Sequence, residues 1–303
     1  MSRFTFYAVR FAFQKLTRPN ERGIVVMQIP PINLNRIERR RDGIYRRTRA
    51  RRVRTMDDAA HFIDAVGFCL LFASTQKIEL PSLFEAVKGR RDAHIDDWDA
   101  DSDRVWEWKN DLPASKRAYY GKALAGGKPI FISLKVLPDW LAIAAPENLD
   151  EAYRRGRISH DAKRVHDALR DLGPTPTMAL RAATGLERSS SGARYHHALD
   201  ELQRVLVILP VGATVERGAW ASQIFDLTAR WFPRQITRAQ SLDLKRARRA
   251  LVLRYIETVV AATPQMLARI FGWQRESLRA TLEDLIARRV ISQTGDWILK
   301  NDE

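Results

Sequence analysis

Two stretches of this chain, about 85 residues apart, repeat one another, and that repeat constrains the fold more than any other feature. Thr175-Pro176-x-Met178 aligns with Thr263-Pro264-x-Met266, and Leu199-Asp200-Glu201-Leu202 aligns with Leu282-Glu283-Asp284-Leu285. In the downstream copy, a helical pattern from Asp243 to Ala261 places Leu244, Ala247, Leu251, Tyr255, Thr258 and Val259 on one stripe. Thr263 is placed to cap a short helix with Pro264 at its first position, and Gly272 ends that helix. A third helix from Gln274 to Arg289 is expected to bury Leu278, Leu282, Leu285 and Ile286. Val290–Ser292, a tight turn at Thr294-Gly295-Asp296, and Trp297–Leu299 then read as a hairpin. Three helices followed by a hairpin is the order of a winged helix-turn-helix.

The upstream copy follows the same plan. Helices are expected over His160–Leu172 and from Thr175-Pro176 through Ala183. A third helix, capped within Ser189–Ser191, turns Tyr195, Leu199 and Leu202 inward, and wing strands follow over Val205–Leu209 and Trp220–Leu227. Residues Thr55 to Ala145 are compatible with a third, degenerate copy. There the pattern gives a helix from Asp57 or Asp58 through Val66, an apolar run Phe68–Phe72, and a helix from Pro81 toward Val87. An acidic linker from Asp92 to Asp103, a helix over Pro113–Leu124 and a strand over Ile130–Ser133 complete it. The expected fold class is mainly α with small β wings, as tandem winged helix-turn-helix domains. Residues 1–54 read as a basic extension, 55–150 as the degenerate domain, and 151–236 and 237–303 as the two clear ones.

Charge is distributed unevenly. The net charge of +15 resembles that of a nucleic-acid-binding protein, but residues 1–54 carry 15 Lys or Arg against 3 Asp or Glu. The remaining 249 residues carry 36 basic and 33 acidic residues. Ten arginines fall between Arg36 and Arg54, with almost no apolar period, so the tract is expected to lack a fold of its own. It reads either as an arm that neutralises phosphates or as an extension ahead of a working start near Met56. No apolar run approaches the ~20 residues of a membrane helix. The single cysteine, Cys69, excludes an internal disulfide and a cysteine metal cluster and suits a reducing, cytoplasmic setting.

Catalytic constellations are scarce. Gly121–Pro129 grazes a phosphate-loop pattern but has Pro129 where the magnesium-binding Ser or Thr belongs, so it reads as a Gly-rich turn. His196 and His197 would point about 100° apart on a helix and cannot chelate one metal, and His160 and His166 are no better spaced. Asp96, Asp97, Asp99, Asp101 and Asp103 lack the Gly and terminal Glu of a calcium loop. The expectation is therefore no metal and no cofactor. The eight tryptophans either fill junctions between small helical units or offer rings to exposed bases.

Double-stranded DNA, intact or damaged, is the expected partner, because the third helix of a winged helix enters the major groove. That exposes Arg188, Ser190 and Arg194 in one copy and Gln274, Arg275, Ser277 and Arg279 in the other. Arg and Gln suit base edges, and Ser suits phosphates. Lys245, Arg246, Arg248 and Arg249 on the long helix are candidates for phosphate contacts. The competing expectation is a winged helix that docks another protein or regulates transcription.

One further set of residues points to a family. The turn Ala65-Val66-Gly67-Phe68 into an apolar strand, Trp106-Glu-Trp108-Lys109, Leu112-Pro113, Tyr119-Tyr120-Gly121-Lys122 and Pro129-Ile-Phe-Ile-Ser133-Leu resemble an AlkZ-related branch of the AlkZ (YcaQ-type) bacterial DNA glycosylases, over about Thr55 to Lys300. The resemblance implies tandem winged helices and, in the glycosylases proper, a catalytic Gln-x-Gln or Gln-x-Asp pair just after the Gly-Phe turn. The matching positions here are Leu70 and Phe72, which can neither move a proton nor stabilise an oxocarbenium ion. Gln76 can stand in only if the register is shifted. The resemblance thus implies a relative that keeps the scaffold without the reaction, with an active glycosylase as the alternative.

Overall fold

The computed structural model describes residues 33–73, 78–91, 98–186, 192–214 and 222–301. The tract expected to lack structure is, from residue 33 onward, part of the fold. Asn33 accepts a hydrogen bond from the Arg36 N–H and caps helix α1 (Leu34–Ile44). Ile37, Arg41 and Tyr45 recur every four residues, and all three are buried. The middle member of that stripe is an arginine, which is why the apolar period does not show in the sequence. Arg41 donates from Nε to the Val259 carbonyl at 2.8 Å and from a terminal nitrogen to the Ala261 carbonyl at 3.2 Å. It also faces Glu38 and Glu79 at 2.7 and 3.2 Å.

Three repeats of one topology follow. The first holds α2 (Met56–Val66), β1 (Phe68–Leu70), α3 (Leu83–Lys88), α4 (Ala100–Ala114), β2 (Ala118–Gly121) and β3 (Ile130–Ser133). After α5 (Leu137–Ala144) and α6 (Leu149–Arg154) comes the second. It comprises α7 (His160–Leu172), β4 (Thr175–Pro176), α8 (Thr177–Ala183), α9 (Gly192–Arg204), β5 (Ile208–Thr214) and β6 (Ser222–Leu227). Helices α10 (Thr228–Trp231) and α11 (Pro233–Gln240) lead to the third. It has α12 (Leu244–Val259), β7 (Ala261–Ala262), α13 (Pro264–Phe271), α14 (Arg275–Ala287), β8 (Ile291–Thr294) and β9 (Trp297–Lys300). Each repeat closes an antiparallel three-stranded sheet in which its last strand lies between the other two. The fold is mainly α with small antiparallel sheets, and among the described residues no helix is long and apolar enough to cross a membrane.

Local chemistry accounts for most boundaries. Thr55 and Asp58 form a reciprocal capping box on α2, and Thr263 caps α13 with Pro264 behind it. Gly272 ends α13 in the left-handed conformation at φ 62°. Several expectations are corrected. Leu244 is 47% exposed, beside exposed Asp243 and Lys245 at the start of α12. Ile286 is 40% exposed, because it lies eight residues and so about 80° around the helix from buried Leu278. The first wing strand of the second repeat starts at Ile208 rather than Val205, since Leu206 takes φ 56° and the Val207 N–H closes back onto Leu202.

A further correction concerns Pro113. It ends α4 instead of opening a helix, and Ala118–Gly121 pair with β3. Asp99 caps α4 through the Asp101 and Ser102 N–H groups, so Asp99, Asp101 and Asp103 belong to a helix start rather than to a linker. Asp92, Asp96 and Asp97 lie outside the described residues.

The first sheet is apolar on both faces. Phe68, Leu70, Tyr119, Ile130 and Ile132 point into one core, whereas Cys69, Ala118, Tyr120 and Phe131 point into another. That is the period-two alternation of a strand. The first core is shared with Leu206 and Leu209 of the second repeat and with Leu251, Tyr255 and Phe271 of the third. The repeats are thereby welded at the first sheet.

Candidate nucleic-acid interface

The face offered by α14 follows from its cap. Gln274 occupies the N-cap without a side-chain bond to the helix and is exposed, as are Arg275 and Arg279. Arg279 lies 3.9 Å from Glu283 and is 69% exposed. Ser277 is half-buried, and its carbonyl accepts the Thr281 hydroxyl. On α12 the four basic residues divide, because successive positions lie about 100° apart. Lys245 and Arg246 face solvent. Arg248 lies 5.9 Å over the Trp273 ring with its Nε buried, and Arg249 donates to Asp284 at 2.9 Å across to α14. Two of the four are thus committed inside the third repeat.

In the second repeat, Arg188 and Ser190 lie outside the described residues. Arg194 is exposed, yet its guanidinium is bound by Asp161 through two hydrogen bonds of 2.7 Å. Those bonds hold the Asp161 carboxyl below its usual range. Arg194 therefore ties α9 to α7, and offering it to a base would first break a bidentate pair.

Leu70 and Phe72 part company. Leu70 is 3% exposed and lies in the shared core, its N–H bonded to the Pro81 carbonyl at 2.9 Å. Phe72, past the end of β1, is half-buried in an aromatic cluster with Phe84, Trp98 and Trp106 at centroid distances of 5.3, 6.5 and 6.4 Å. Trp98 and Trp106 are 51% and 46% exposed. The Lys109 ammonium sits 3.4 Å from the Trp106 centroid, and burial lowers its pKa to about 8. Tryptophan rings at this site were counted in the sequence, but their convergence depends on α4, which the sequence reading placed too late. The neighbouring Cys69 thiol is raised by burial and faces the other core. Gln76 lies outside the described residues.

Among the described residues no group of three or more His, Cys, Asp or Glu side chains is arranged to hold a metal ion. His196 and His197 are exposed on α9. Gly121–Pro129 spans the end of β2 and the loop to β3.

Asp139, in the first turn of α5, is half-buried. Burial pushes its carboxyl up to about 6 from 3.8, against the pull of the Arg238 and Arg246 cations. A raised carboxyl favours the protonated native state, so its cost grows as pH rises from about 4 to 6 and is fully present above that. Asp139→Asn should therefore raise the melting temperature at pH 7.5 and leave it nearly unchanged at pH 3.5. An equal shift at both pH values would show that ionisation is not the cause.

The model of the AlkZ-related family matches residues 53–272. The chain belongs to the AlkZ-related family. Its fold is similar to that of the Streptomyces sahachiroi DNA glycosylase AlkZ, with a TM-score of 0.53, 13% identity, and coverage of 86% of this chain and 69% of that one. Among curated proteins, none matches the chain. In this AlkZ-related protein the family match takes in β1 and the aromatic cluster. It ends at Gly272, before α14, and starts at Val53, after most of the arginine tract.

Proposed function

We propose that this AlkZ-related chain is a tandem winged helix-turn-helix protein that binds double-stranded DNA, damaged duplex included, and does not excise a base. What supports the reading is the surroundings of Leu70 and Phe72, the positions that the resemblance matches to the glycosylases' catalytic pair. One is sealed in an apolar core and the other lies among aromatic rings. The helix-strand-helix-helix-hairpin order, repeated three times with the last strand central, supports the winged-helix assignment. In that assignment α14 is the reading helix, with Gln274, Arg275 and Arg279 toward base edges, and Lys245 and Arg246 toward phosphates.

Incubating the protein with alkylated duplex and then cleaving abasic sites with alkali tests the chemistry. The expected result is retention of the duplex with no strand scission above buffer. Scission above that level would make the protein a glycosylase and overturn the reading.

The exposed rings of Trp98 and Trp106, with a cation beside them, suit stacking on a base that has left the helix. Trp106→Ala should weaken binding to a duplex carrying one unpaired base about 5- to 150-fold, corresponding to ~1–3 kcal/mol per stacked base. Binding to the fully paired duplex should hardly change. An equal loss on both duplexes in a fluorescence-anisotropy titration would remove the stacking role.

A further inference from the structure

The arginine tract does more than pack. Its turn docks against the end of α3: the Val53 N–H bonds to the Ala86 carbonyl at 2.9 Å, and Arg47 donates to buried Glu85 at 2.8 and 3.1 Å. Gly89, at φ 64°, closes the contact, since a Cβ there would meet Arg52 Cβ and the Thr48 carbonyl oxygen at 3.0 Å. The result is a cleft of about 530 Å³ lined by Arg49, Arg52, Arg54, Lys88, Gly89 and Arg90. Lys88 is paired with Asp99 and Asp101. No salt bridge joins Arg49, Arg52, Arg54 or Arg90 to an acidic side chain among the described residues. Arg52 also lines a second cleft with Arg46 and Arg51.

Like charges held in one concavity repel each other and raise the local concentration of anions. Here the backbone fixes the positions of these arginines in advance, and the nearby carboxylates are spent elsewhere: Glu85 on Arg47, Asp42 on Arg91 and Asp57 on Arg117. We infer that the cleft formed by Arg49, Arg52, Arg54 and Arg90 is a preformed cradle for the phosphodiester backbone of duplex DNA. This rests on the DNA-binding reading above and adds a second point of attachment, separate from α14. Arg49 and Arg52 precede the segment that the family match covers. Guanidinium groups suit phosphate oxygens, and such contacts add affinity and salt dependence without reading sequence.

The test is the salt dependence of binding to an undamaged duplex. The triple variant Arg49→Gln, Arg52→Gln, Arg54→Gln is compared with wild type and with a charge-matched control, Arg155→Gln, Arg157→Gln, Arg170→Gln. Log affinity against log salt changes by about 0.9 per phosphate contact, so the cradle triple should flatten the slope by about 2–3. The control should flatten it by less than about one, since it removes charge but no contact. A cradle triple with the wild-type slope, or a control that flattens as much, overturns the cradle while the DNA-binding reading stands. Wild type that fails to bind duplex at 50 mM salt overturns both. If circular dichroism shows the triple unfolded, Arg49→Gln and Arg54→Gln singly serve instead, each expected to flatten the slope by about one.

Discussion

Phe68→Ala will lower the unfolding free energy by about 3–5 kcal/mol, the cost of deleting a fully buried ring from a close-packed core. Phe68 is 0% exposed and touches three rings from outside its own sheet: Trp140 of α5 at 5.5 Å, Tyr255 of α12 at 6.3 Å and Phe271 of α13 at 6.4 Å. Those partners belong to the first-to-second connection and to the third repeat, so the cavity opens at the weld rather than inside one repeat. Two effects should appear in urea titrations followed by fluorescence. The midpoint should fall, and the single transition should broaden or split as the third repeat loses its hold on the first sheet. A loss under about 1 kcal/mol would mean that the core closes over the gap and that the weld lies elsewhere.

Arg41→Met should cost about as much, roughly 3–5 kcal/mol, for a different reason. The methionine keeps most of the stem's volume. What disappears is a buried cation that serves the Val259 and Ala261 carbonyls and faces two glutamates. Those carbonyls flank Val260, the residue with φ 67° that ends α12, so two buried acceptors lose their donor at a strained point. Thermal melts should show a loss of about 6–20 °C, given that 1 kcal/mol moves a domain of this size by about 2–4 °C. A melting temperature within two or three degrees of wild type would show that water replaces the arginine without cost.

The same contact changes how truncations are to be read. Removing residues 1–54 deletes α1 and the Arg41 anchor together with the cationic cleft, so loss of DNA binding by that fragment would report folding as much as charge. Point variants of exposed arginines separate the two.

Much of the third repeat was legible because its signals are local: a threonine cap, a proline at the first helical position, a glycine stop and a two-residue hairpin turn at Gly295-Asp296. The exposed polar face at Gln274, Arg275 and Arg279 was legible for the same reason. Other residues were decided by partners far along the chain. Arg194 meets Asp161 across 33 residues, and Arg249 meets Asp284 across 35. Arg41 reads as one more tract arginine until residues 259–261 are placed beside it. The region around Pro113 was misjudged because a proline can sit in the last turn of a helix as well as in the first. Only the alternation of Ala118, Tyr119 and Tyr120 between two cores reveals the strand. The aromatic cluster depends on that correction, since Trp98 and Trp106 meet Phe72 only when α4 begins near Asp99.

The hydrogen bond from Arg41 to Val259 spans 218 residues, nearly from one end of the described chain to the other. At about 5–20 residues per second, a ribosome delivers α1 roughly 10–45 s before it delivers the carbonyls that α1 must grip. Through that interval the turn after α1 can already dock on α3 through Val53 and Arg47, while Arg41 waits for its carbonyl acceptors. Closure of the first helix onto the third repeat is then a late event of biosynthesis.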